Sequence, residues 1–503
     1  MVARVRTATL AGLVMQPVTV EVEVANGLPG LSIVGLPDKA VDESRERVRS
    51  AVRQAGFTLP ARRITVNLAP AGTRKAGSGL DLPIAVGVLA AAGELPEPDP
   101  GTLFRAELSL DGRLQGVAGS LPIALGAKER GVERLMVAEA NAAEAALAGA
   151  PTVYGVASLE ALIDHLRGER QLQPERPRDF SGSAAPAADL SEIRGQAHAK
   201  RALEVAAAGG HNLLLTGPPG TGKSMLAKAL AGILPPPSRE ELLEITAAHS
   251  VADLLPSGCP LVECRPFRSP HHSVSLAGLF GGGSNPRPGE ISLAHRGVLF
   301  LDELPQFPSH VLEALRSPLE DRRVRISRAG RTVEFPADCM LVGSQNPCPC
   351  GFAGDSDKPC VCSPAAAARY RQRLSGPIRD RFDLLADVPR IAYAELSGVT
   401  GESSAVVRRR VRTARERQAR RLGADRTNAV MTLAELAEHV RLDDAGDALL
   451  RRAVDRWHLS VRACHRVLRV SRTIADLAAA PAVTDNHVAE ALQYRERLAE
   501  QPA

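Results

Sequence analysis

The sequence predicts an α/β protein with three regions: an α+β N-terminal domain, a core built around a parallel sheet, and a helical C-terminal lid. Two observations predict the core. Residues Gly217–Ser224 form a complete phosphate-binding loop, G-x-x-x-x-G-K-[ST], between an apolar strand-like run and a helix-like run. Downstream, the apolar run 298–301 ends in Asp302 and Glu303, which is typical of a buried parallel strand with acidic groups at its end. Alternating residues such as Val18–Val24 predict strands before the core, and helical spacing predominates after it.

Composition places the boundaries between these regions. The segment 168–189 is rich in Pro, Ser, Gly and Ala, which is typical of a linker. We therefore expect an N-terminal domain over 1–167, a core over 190–392 and a lid over 393–503. The N-terminal domain includes the glycine-rich turn 77–79.

The bulk composition excludes several classes of protein. The 503 residues are 44% hydrophobic and 24% charged, which is ordinary for a globular protein in water. The chain has neither a long apolar run nor a recognisable signal peptide, so we expect no membrane contact and a cytoplasmic location. The net charge is +5, and eight arginines with one acid lie between residues 408 and 421. That run suits either a solvated helix face or a surface for phosphate backbones.

The phosphate-binding loop forms the first half of a nucleotide site. Its glycines allow backbone N–H groups to surround phosphate oxygens, and the next helix adds the partial positive charge of its N-terminus. Lys223 is expected to reach the β- and γ-phosphates, and the Ser224 hydroxyl to ligate Mg²⁺. The residues expected to bind the nucleotide here are Gly217, Pro218, Pro219, Gly220, Thr221, Gly222, Lys223 and Ser224.

Residues farther along the chain supply the second half. Asp302 is predicted to hold the Mg²⁺ shell and Glu303 to polarise the attacking water. Asn346 ends another buried strand-like run and is predicted to contact the γ-phosphate or that water. Arg381 is predicted to stabilise charge on the γ-phosphate in a neighbouring subunit, which requires an oligomer. Arg462 opens a helix in the last region and is predicted to sense the nucleotide.

Four of the eight cysteines are clustered in an expected insertion over 347–363. Cys348 with Cys350, and Cys360 with Cys362, form two C-x-C pairs. Four thiolates on a short loop suit a tetrahedral Zn²⁺ with a structural role, because no open coordination position is implied. The usual spacing is C-x-x-C, so a set of reduced, unliganded thiols is the alternative.

Longer motifs extend over nearly the whole chain. They are Gly30–Asp38, Lys75–Pro83, Arg265–His272, Gly289–His295, Asn346–Gly351 and Arg466–Asp476. Together they resemble the ComM/YifB family of magnesium chelatase-like AAA+ ATPases. The resemblance implies a Lon-protease-like N-terminal domain, a helix-2 insertion over 265–296, and a pore hairpin over 324–333 that turns at residues 329 and 330. A surface hairpin whose arginines keep its edges soluble is the alternative for that last segment.

The resemblance also implies roles for single residues. Lys223 and Ser224 correspond to Walker A, Asp302 and Glu303 to Walker B, Asn346 to sensor 1, Arg381 to the arginine finger and Arg462 to sensor 2. Arg466 competes with Arg462 for the last role, because one helical turn separates the two residues.

The activity that the resemblance implies is that of a homo-hexameric DNA motor. Such a motor is a helicase that uses ATP and Mg²⁺ to drive branch migration. It acts on branched or single-stranded DNA without sequence preference, during recombination and natural transformation. Recombination proteins are its expected partners. One alternative is a chelatase-type motor that remodels a metal-inserting partner. Another is an ATP-dependent protease, which is disfavoured because Pro122 occupies the position where a lysine would serve as base for Ser78.

Overall fold

A computed structural model describes residues 2–72, 75, 77–176, 179–183, 185, 188–256, 258–283, 285–328, 331–355, 357–391 and 401–495. The predicted fold class is confirmed: the protein is α/β, with a parallel sheet in its core and a helical C-terminal region. No helix within these described ranges is both long enough and apolar enough to cross a membrane.

The N-terminal region is built on one mixed sheet. Its elements are β1 (Val2–Ala11), β2 (Val14–Ala25), β3 (Gly30–Val34), α1 (Lys39–Gln54), β4 (Arg63–Ala69), α2 (Asp81–Ala92), β5 (Thr102–Arg105), β6 (Glu107–Leu108), β7 (Leu114–Gln115), α3 (Ser120–Glu129), β8 (Arg134–Ala138), α4 (Glu139–Ala146), β9 (Thr152–Val156) and α5 (Leu159–Arg167). The large sheet has the order β3-β4-β2-β1-β5-β8-β9. Helix α2 packs against β1, β2 and α1. Because it is buried on nearly every side, its sequence is apolar without helical periodicity.

The core surrounds a parallel sheet of five strands. Its elements are α6 (Ala197–Gly209), β10 (Leu213–Thr216), α7 (Lys223–Ile233), α8 (Arg239–Val251), β11 (Phe267–Arg268), α9 (Leu276–Phe280), β12 (Gly281–Gly282), β13 (Arg287–Pro288), α10 (Glu290–Leu293), β14 (Val298–Leu301), α11 (Ser309–Ala314), α12 (Arg316–Asp321), β15 (Arg323–Arg328), β16 (Arg331–Pro336), β17 (Met340–Gln345), α13 (Pro364–Gln372), α14 (Gly376–Arg379) and β18 (Leu384–Asp387). The strand order is β11-β14-β17-β10-β18. All pairs are parallel, and the strands that follow β10 in the chain lie on both sides of it, so β10 is the point where the strand order switches sides. Ligands of open parallel sheets bind outside the carboxyl ends of the strands at such a point.

Strands β15 and β16 form the antiparallel hairpin that the sequence predicts over 324–333. The expected turn at residues 329 and 330 lies outside the described residues. The base of the hairpin touches the N-terminal region at Gly12, where φ is 65° and a Cβ would lie 2.7 Å from the carbonyl oxygen of Glu334. Only glycine satisfies both the backbone conformation and the close approach at this position.

The C-terminal region is a group of helices: α15 (Ser404–Leu422), α16 (Leu433–His439), α17 (Asp444–Trp457), α18 (Val461–Leu477) and α19 (Asp485–Gln493). The arginine-rich run lies on α15. Arg408 and Arg415 donate to backbone carbonyls of the core at 2.8 and 2.7 Å, and Arg410 pairs with buried Glu204 at 2.5 Å. Three of the eight arginines therefore anchor the C-terminal region to the core, whereas Arg409, Arg412 and Arg420 are exposed, as a solvated helix face predicts.

The segment expected to be a linker packs on the core. The backbone N–H of Ser183 donates to the carbonyl oxygen of Glu263 at 2.8 Å. The guanidinium of Arg239 lies 4.3 Å from the centre of the Phe180 ring, which is a cation–π distance. These contacts hold the described part of the segment against the core.

The N-terminal region docks on the core through α3 and α8. The Ser250 hydroxyl donates to Glu144 Oε1 at 2.5 Å and accepts the N–H of Gly119 at 3.0 Å. The same carboxylate oxygen accepts the N–H of Leu121 at 2.7 Å. Ala247 of α8 belongs to the same apolar cluster as Leu121. A buried polar network and a shared apolar core thus join the two regions.

Replacing Glu144 by alanine tests this docking. The change removes the acceptor of the Ser250 hydroxyl and of the Leu121 amide, at a cost of about 1–3 kcal/mol for the buried groups left unsatisfied. We expect the amides at 119–121 to exchange hydrogen about tenfold faster or more, as measured by mass spectrometry. Glu139→Ala, at an exposed position on the same helix, is the control, and equal exchange in both variants would contradict the docking role.

Candidate nucleotide site

The phosphate-binding loop joins the carboxyl end of β10 to the first turn of α7. Gly220 and Gly222 have φ values of 77° and 92°, a region that glycine adopts without strain. Gly217 has no room for a side chain, because a Cβ there would lie 2.1 Å from the carbonyl oxygen of Val388. The Thr221 hydroxyl closes the loop by donating to the Pro218 carbonyl at 3.0 Å.

Lys223 lies folded into this loop. Its Nζ donates to the carbonyl oxygens of Gly217 and Pro218 at 2.7 and 2.8 Å. It also donates to Oδ1 of Asn346 at 3.1 Å, across the gap between β10 and β17. Burial lowers the pKa of Lys223, and the carboxylate of Asp302 opposes that shift. The structure thus brings the predicted lysine and the predicted sensor asparagine into direct contact.

The acidic half of the site follows β14. Oδ2 of Asp302 accepts the hydroxyl of Ser224 at 2.9 Å, so the two oxygen ligands expected for Mg²⁺ are adjacent. Hard oxygen donors of this kind suit Mg²⁺. Glu303 is exposed, and its φ of 52° is uncommon for a residue other than glycine. Its carboxylate is therefore open to a water molecule.

Ser344 is a site residue that the sequence interpretation missed. Its hydroxyl donates to Oδ1 of Asp302 and accepts the backbone N–H of Glu303 at 3.0 Å. It therefore holds both acidic residues in place. The signal was its position two residues before Asn346, because alternate residues of an extended chain point to the same side.

The four clustered cysteines converge beside this site. Their sulfur atoms all lie within 4.8 Å of one another. Among the described residues, this is the only group of three or more candidate metal ligands. Three of the S–S separations are 3.3, 3.6 and 3.6 Å. A tetrahedral Zn²⁺ with Zn–S bonds of about 2.3 Å separates its sulfurs by about 3.8 Å. The donor set and its dimensions therefore fit zinc.

The predicted arginines lie at the opposite edge of the sheet. Arg381, Arg462 and Arg466 line one cavity of about 760 Å³. The carbonyl oxygen of Arg381 accepts the side-chain amide of Asn212 at 3.0 Å, and Asn212 directly precedes β10. This edge holds the amino ends of the strands, whereas the phosphate-binding loop follows the carboxyl end of β10. The structure does not bring these arginines to the loop of their own chain.

The three arginines differ in what they contact. Nη2 of Arg381 pairs with Oε1 of Glu320 at 2.6 Å, and burial lowers the pKa of Arg381. Arg466 is buried and lies 3.6 Å from Oδ1 of Asp383. Arg462 is exposed and forms no ion pair with any residue that the structure describes. Of the two arginines on α18, Arg462 therefore presents its guanidinium to solvent, whereas Arg466 is buried.

Three family models match the chain in succession. They are "Subunit ChlI of Mg-chelatase" over residues 20–141, "Magnesium chelatase, subunit ChlI" over 189–396, and "Magnesium chelatase, subunit ChlI C-terminal" over 401–495. The magnesium-chelatase 38 kDa subunit of Rhodobacter capsulatus is 26% identical over 190 residues, which are 34% of this chain and 54% of that protein.

Two relatives match over nearly their full length. Competence protein ComM of Haemophilus influenzae is 46% identical over 490 residues, covering 95% of this chain and 94% of that protein. The uncharacterized protein YifB of Escherichia coli is 44% identical over 496 residues, covering 98% and 96%. With the parallel core sheet and the family-model matches, this similarity shows that the chain belongs to the ComM/YifB family of magnesium chelatase-like AAA+ proteins.

Proposed function

We propose that the protein is an ATP hydrolase that acts as a motor on DNA. The observation that carries the ATPase proposal is the convergence of Lys223, Ser224, Asp302 and Asn346 at the carboxyl ends of three neighbouring strands. Membership of a magnesium chelatase-like AAA+ family, with its use of ATP and Mg²⁺, supports the same activity.

Each residue has a distinct task in hydrolysis. Lys223 leaves the loop carbonyls and binds the β- and γ-phosphates, while Asn346 orients the γ-phosphate or the attacking water. Ser224 and Asp302 hold Mg²⁺, which neutralises phosphate charge when bound. Glu303 accepts a hydrogen bond from the attacking water and orients that water toward the γ-phosphorus.

Arg381 and Arg462 complete the site of a neighbouring subunit in this proposal. β10 has four residues at about 3.3 Å each, so about 13 Å of strand separates its amino end from the start of the loop. We therefore propose that arginines at the amino ends of one copy meet a nucleotide bound at the carboxyl ends of the next copy. Such an arrangement closes when copies form a ring, and a homo-hexamer is the ring that we propose. Arg462, being exposed, fits the sensor role better than buried Arg466.

DNA is the proposed substrate, bound through its phosphates without sequence readout. Arg323 and Arg325 of the hairpin are more than 60% exposed, although both also pair with Glu334. Flexible basic side chains in this position give affinity for any phosphate backbone. The name of the Haemophilus relative, a competence protein, supports a role in natural transformation, and branch migration during the integration of incoming DNA is the step that we propose within it.

The alternatives have less support. A chelatase-type motor that remodels a metal-inserting partner shares the same core, but the chelatase subunit of Rhodobacter capsulatus is only 26% identical over about a third of the chain. A peptidase needs a base for Ser78. The cavity beside Ser78 is lined by neither lysine nor histidine among the described residues, and Pro122 is buried within α3. The N-terminal region is therefore proposed as a docking domain.

Two substitutions test the catalytic assignment. Lys223→Ala removes the ammonium that binds the phosphates and is expected to abolish nucleotide binding in a fluorescence titration. Glu303→Gln retains the fold and the Mg²⁺ ligands, so binding persists while turnover falls about 10²-fold or more. Full turnover in either variant would refute the assignment.

A mixing experiment tests the shared site. Arg381→Ala is expected to retain nucleotide binding and to lower kcat about 10³-fold. Mixing Arg381→Ala subunits with inactive Glu303→Gln subunits restores part of the ATPase activity. Wherever an Arg381→Ala subunit binds the nucleotide and a Glu303→Gln subunit is its neighbour, the interface combines an intact Glu303 with an intact Arg381. Arg420→Ala, at an exposed arginine of α15, is the control. Absence of recovery in oligomers shown to be mixed would contradict a site shared between subunits.

A third measurement tests the substrate. Branched or single-stranded DNA is expected to raise the ATPase rate, with an effect that weakens as salt increases. The double variant Arg323→Ala/Arg325→Ala should show less stimulation than Arg420→Ala. The DNA proposal fails if DNA leaves the rate unchanged while a partner protein or an unfolded polypeptide raises it.

A further inference from the structure

The cysteine cluster contacts the nucleotide site directly. Cys348 is fully buried and follows Asn346 by two residues, in the segment just after β17. Whatever fixes Cys348 therefore also fixes the backbone that presents Asn346 to Lys223. This is the first of three connections between the cluster and the phosphate-binding loop.

The second connection is the packing of Gly351 on Pro219. Gly351 has a φ of 86°, and a Cβ at this position would lie 2.5 Å from Cδ of Pro219. Pro219 is the third residue of the phosphate-binding loop. The loop of the cysteine cluster thus forms one wall of the phosphate cradle, with no space between the two segments.

The third connection is an ion pair. Oδ2 of Asp355 accepts Nε of Arg390 at 2.7 Å, and the Asp355 side chain is 1% exposed. Arg390 lies two residues after Val388, whose carbonyl oxygen leaves no room for a side chain on Gly217. The insertion therefore ties the segment after β18 to the phosphate-binding loop from a second direction.

The sulfur atoms have the surroundings of metal ligands. The backbone N–H of Ala353 donates to Sγ of Cys348, and that of Cys350 donates to Sγ of Cys362, both at 3.3 Å. Hydrogen bonds from backbone amides favour the thiolate form and orient it, as the outer shell of a metal site does. All four cysteines are free of disulfides.

We propose that Zn²⁺ bound by Cys348, Cys350, Cys360 and Cys362 positions Pro219 and Asn346 for ATP, so that nucleotide affinity depends on the metal. The proposal rests on the ATPase function proposed above. When the metal is removed, the two ends of the insertion are no longer joined, and the freed loop gains conformational entropy. The wall behind Pro219 and the anchor after Asn346 are then lost together, and part of the binding energy is used to order them again.

The first test measures zinc and nucleotide affinity in the same samples. The full-length protein is expected to contain about one Zn²⁺ per chain by mass spectrometry of the metal, and Cys350→Ser/Cys362→Ser to contain less than about a tenth of that. A fluorescent ATP analogue with Mg²⁺ should bind the double variant about tenfold more weakly or worse. Cys259→Ser, an exposed cysteine outside the cluster, should retain both zinc and affinity.

The second test separates positioning from loss of the fold. Gly351→Ala introduces a methyl group against Pro219, whereas Gly354→Ala has the same kind of backbone conformation, with φ of 75°, and nothing within 4 Å. Both variants should bind zinc. Gly351→Ala should bind the analogue about fivefold more weakly than Gly354→Ala, because the shared strain cancels in the comparison.

The outcomes distinguish this proposal from the ATPase proposal. If the wild-type protein holds zinc but no nucleotide, both proposals fail. If it binds nucleotide but contains no zinc, or if zinc-free protein binds nucleotide as well as the zinc-loaded form, only the positioning role fails. Equal affinity in Gly351→Ala and Gly354→Ala would likewise overturn the packing role of Gly351.

Discussion

The parallel pairing of β10 with β17 on one side and β18 on the other is the constraint on which the site depends. It places the phosphate-binding loop, which follows β10, beside Asn346, which follows β17. The hydrogen bond from Lys223 to Asn346 and the one from Ser224 to Asp302 exist only because β10, β17 and β14, which pairs with β17 in parallel, end at the same edge. Strand length and register therefore set the geometry of the nucleotide site before any side chain contributes chemistry.

The same sheet separates two groups of charged side chains. Groups that would bind phosphate and Mg²⁺ lie at the carboxyl edge, and the arginine-lined cavity with Arg381 lies at the amino edge. A single copy cannot bring the two edges together, since the length of the paired strands separates them. The arginines on α15 that bond inward to Glu204 and to core carbonyls hold the helical region at the edge where the arginine cavity lies.

The N-terminal region is part of the same body. Its contacts with α8 through Ser250 and with the hairpin through Gly12 connect it to two elements of the core. The hydrogen bond between Ser250 and Glu144 could not be predicted from the sequence, because the two residues are 106 positions apart and neither lies in a motif. Pro122, in contrast, could be interpreted from the sequence, because it occupies the position of a catalytic lysine. Its burial in α3 agrees with a structural role for that helix.

The sequence by itself determined the features that depend on neighbouring residues. The phosphate-binding loop, the acidic pair at 302 and 303 and the C-x-C pairs were all predicted, because their chemistry needs a fixed short spacing. The tertiary structure alone decided what depends on distant residues: the contact of Gly351 with Pro219, the hydroxyl of Ser344 on Asp302, and the exposure of Arg462 beside buried Arg466. These follow from how strands and helices pack, and a one-dimensional pattern does not encode which of two arginines one helical turn apart faces solvent.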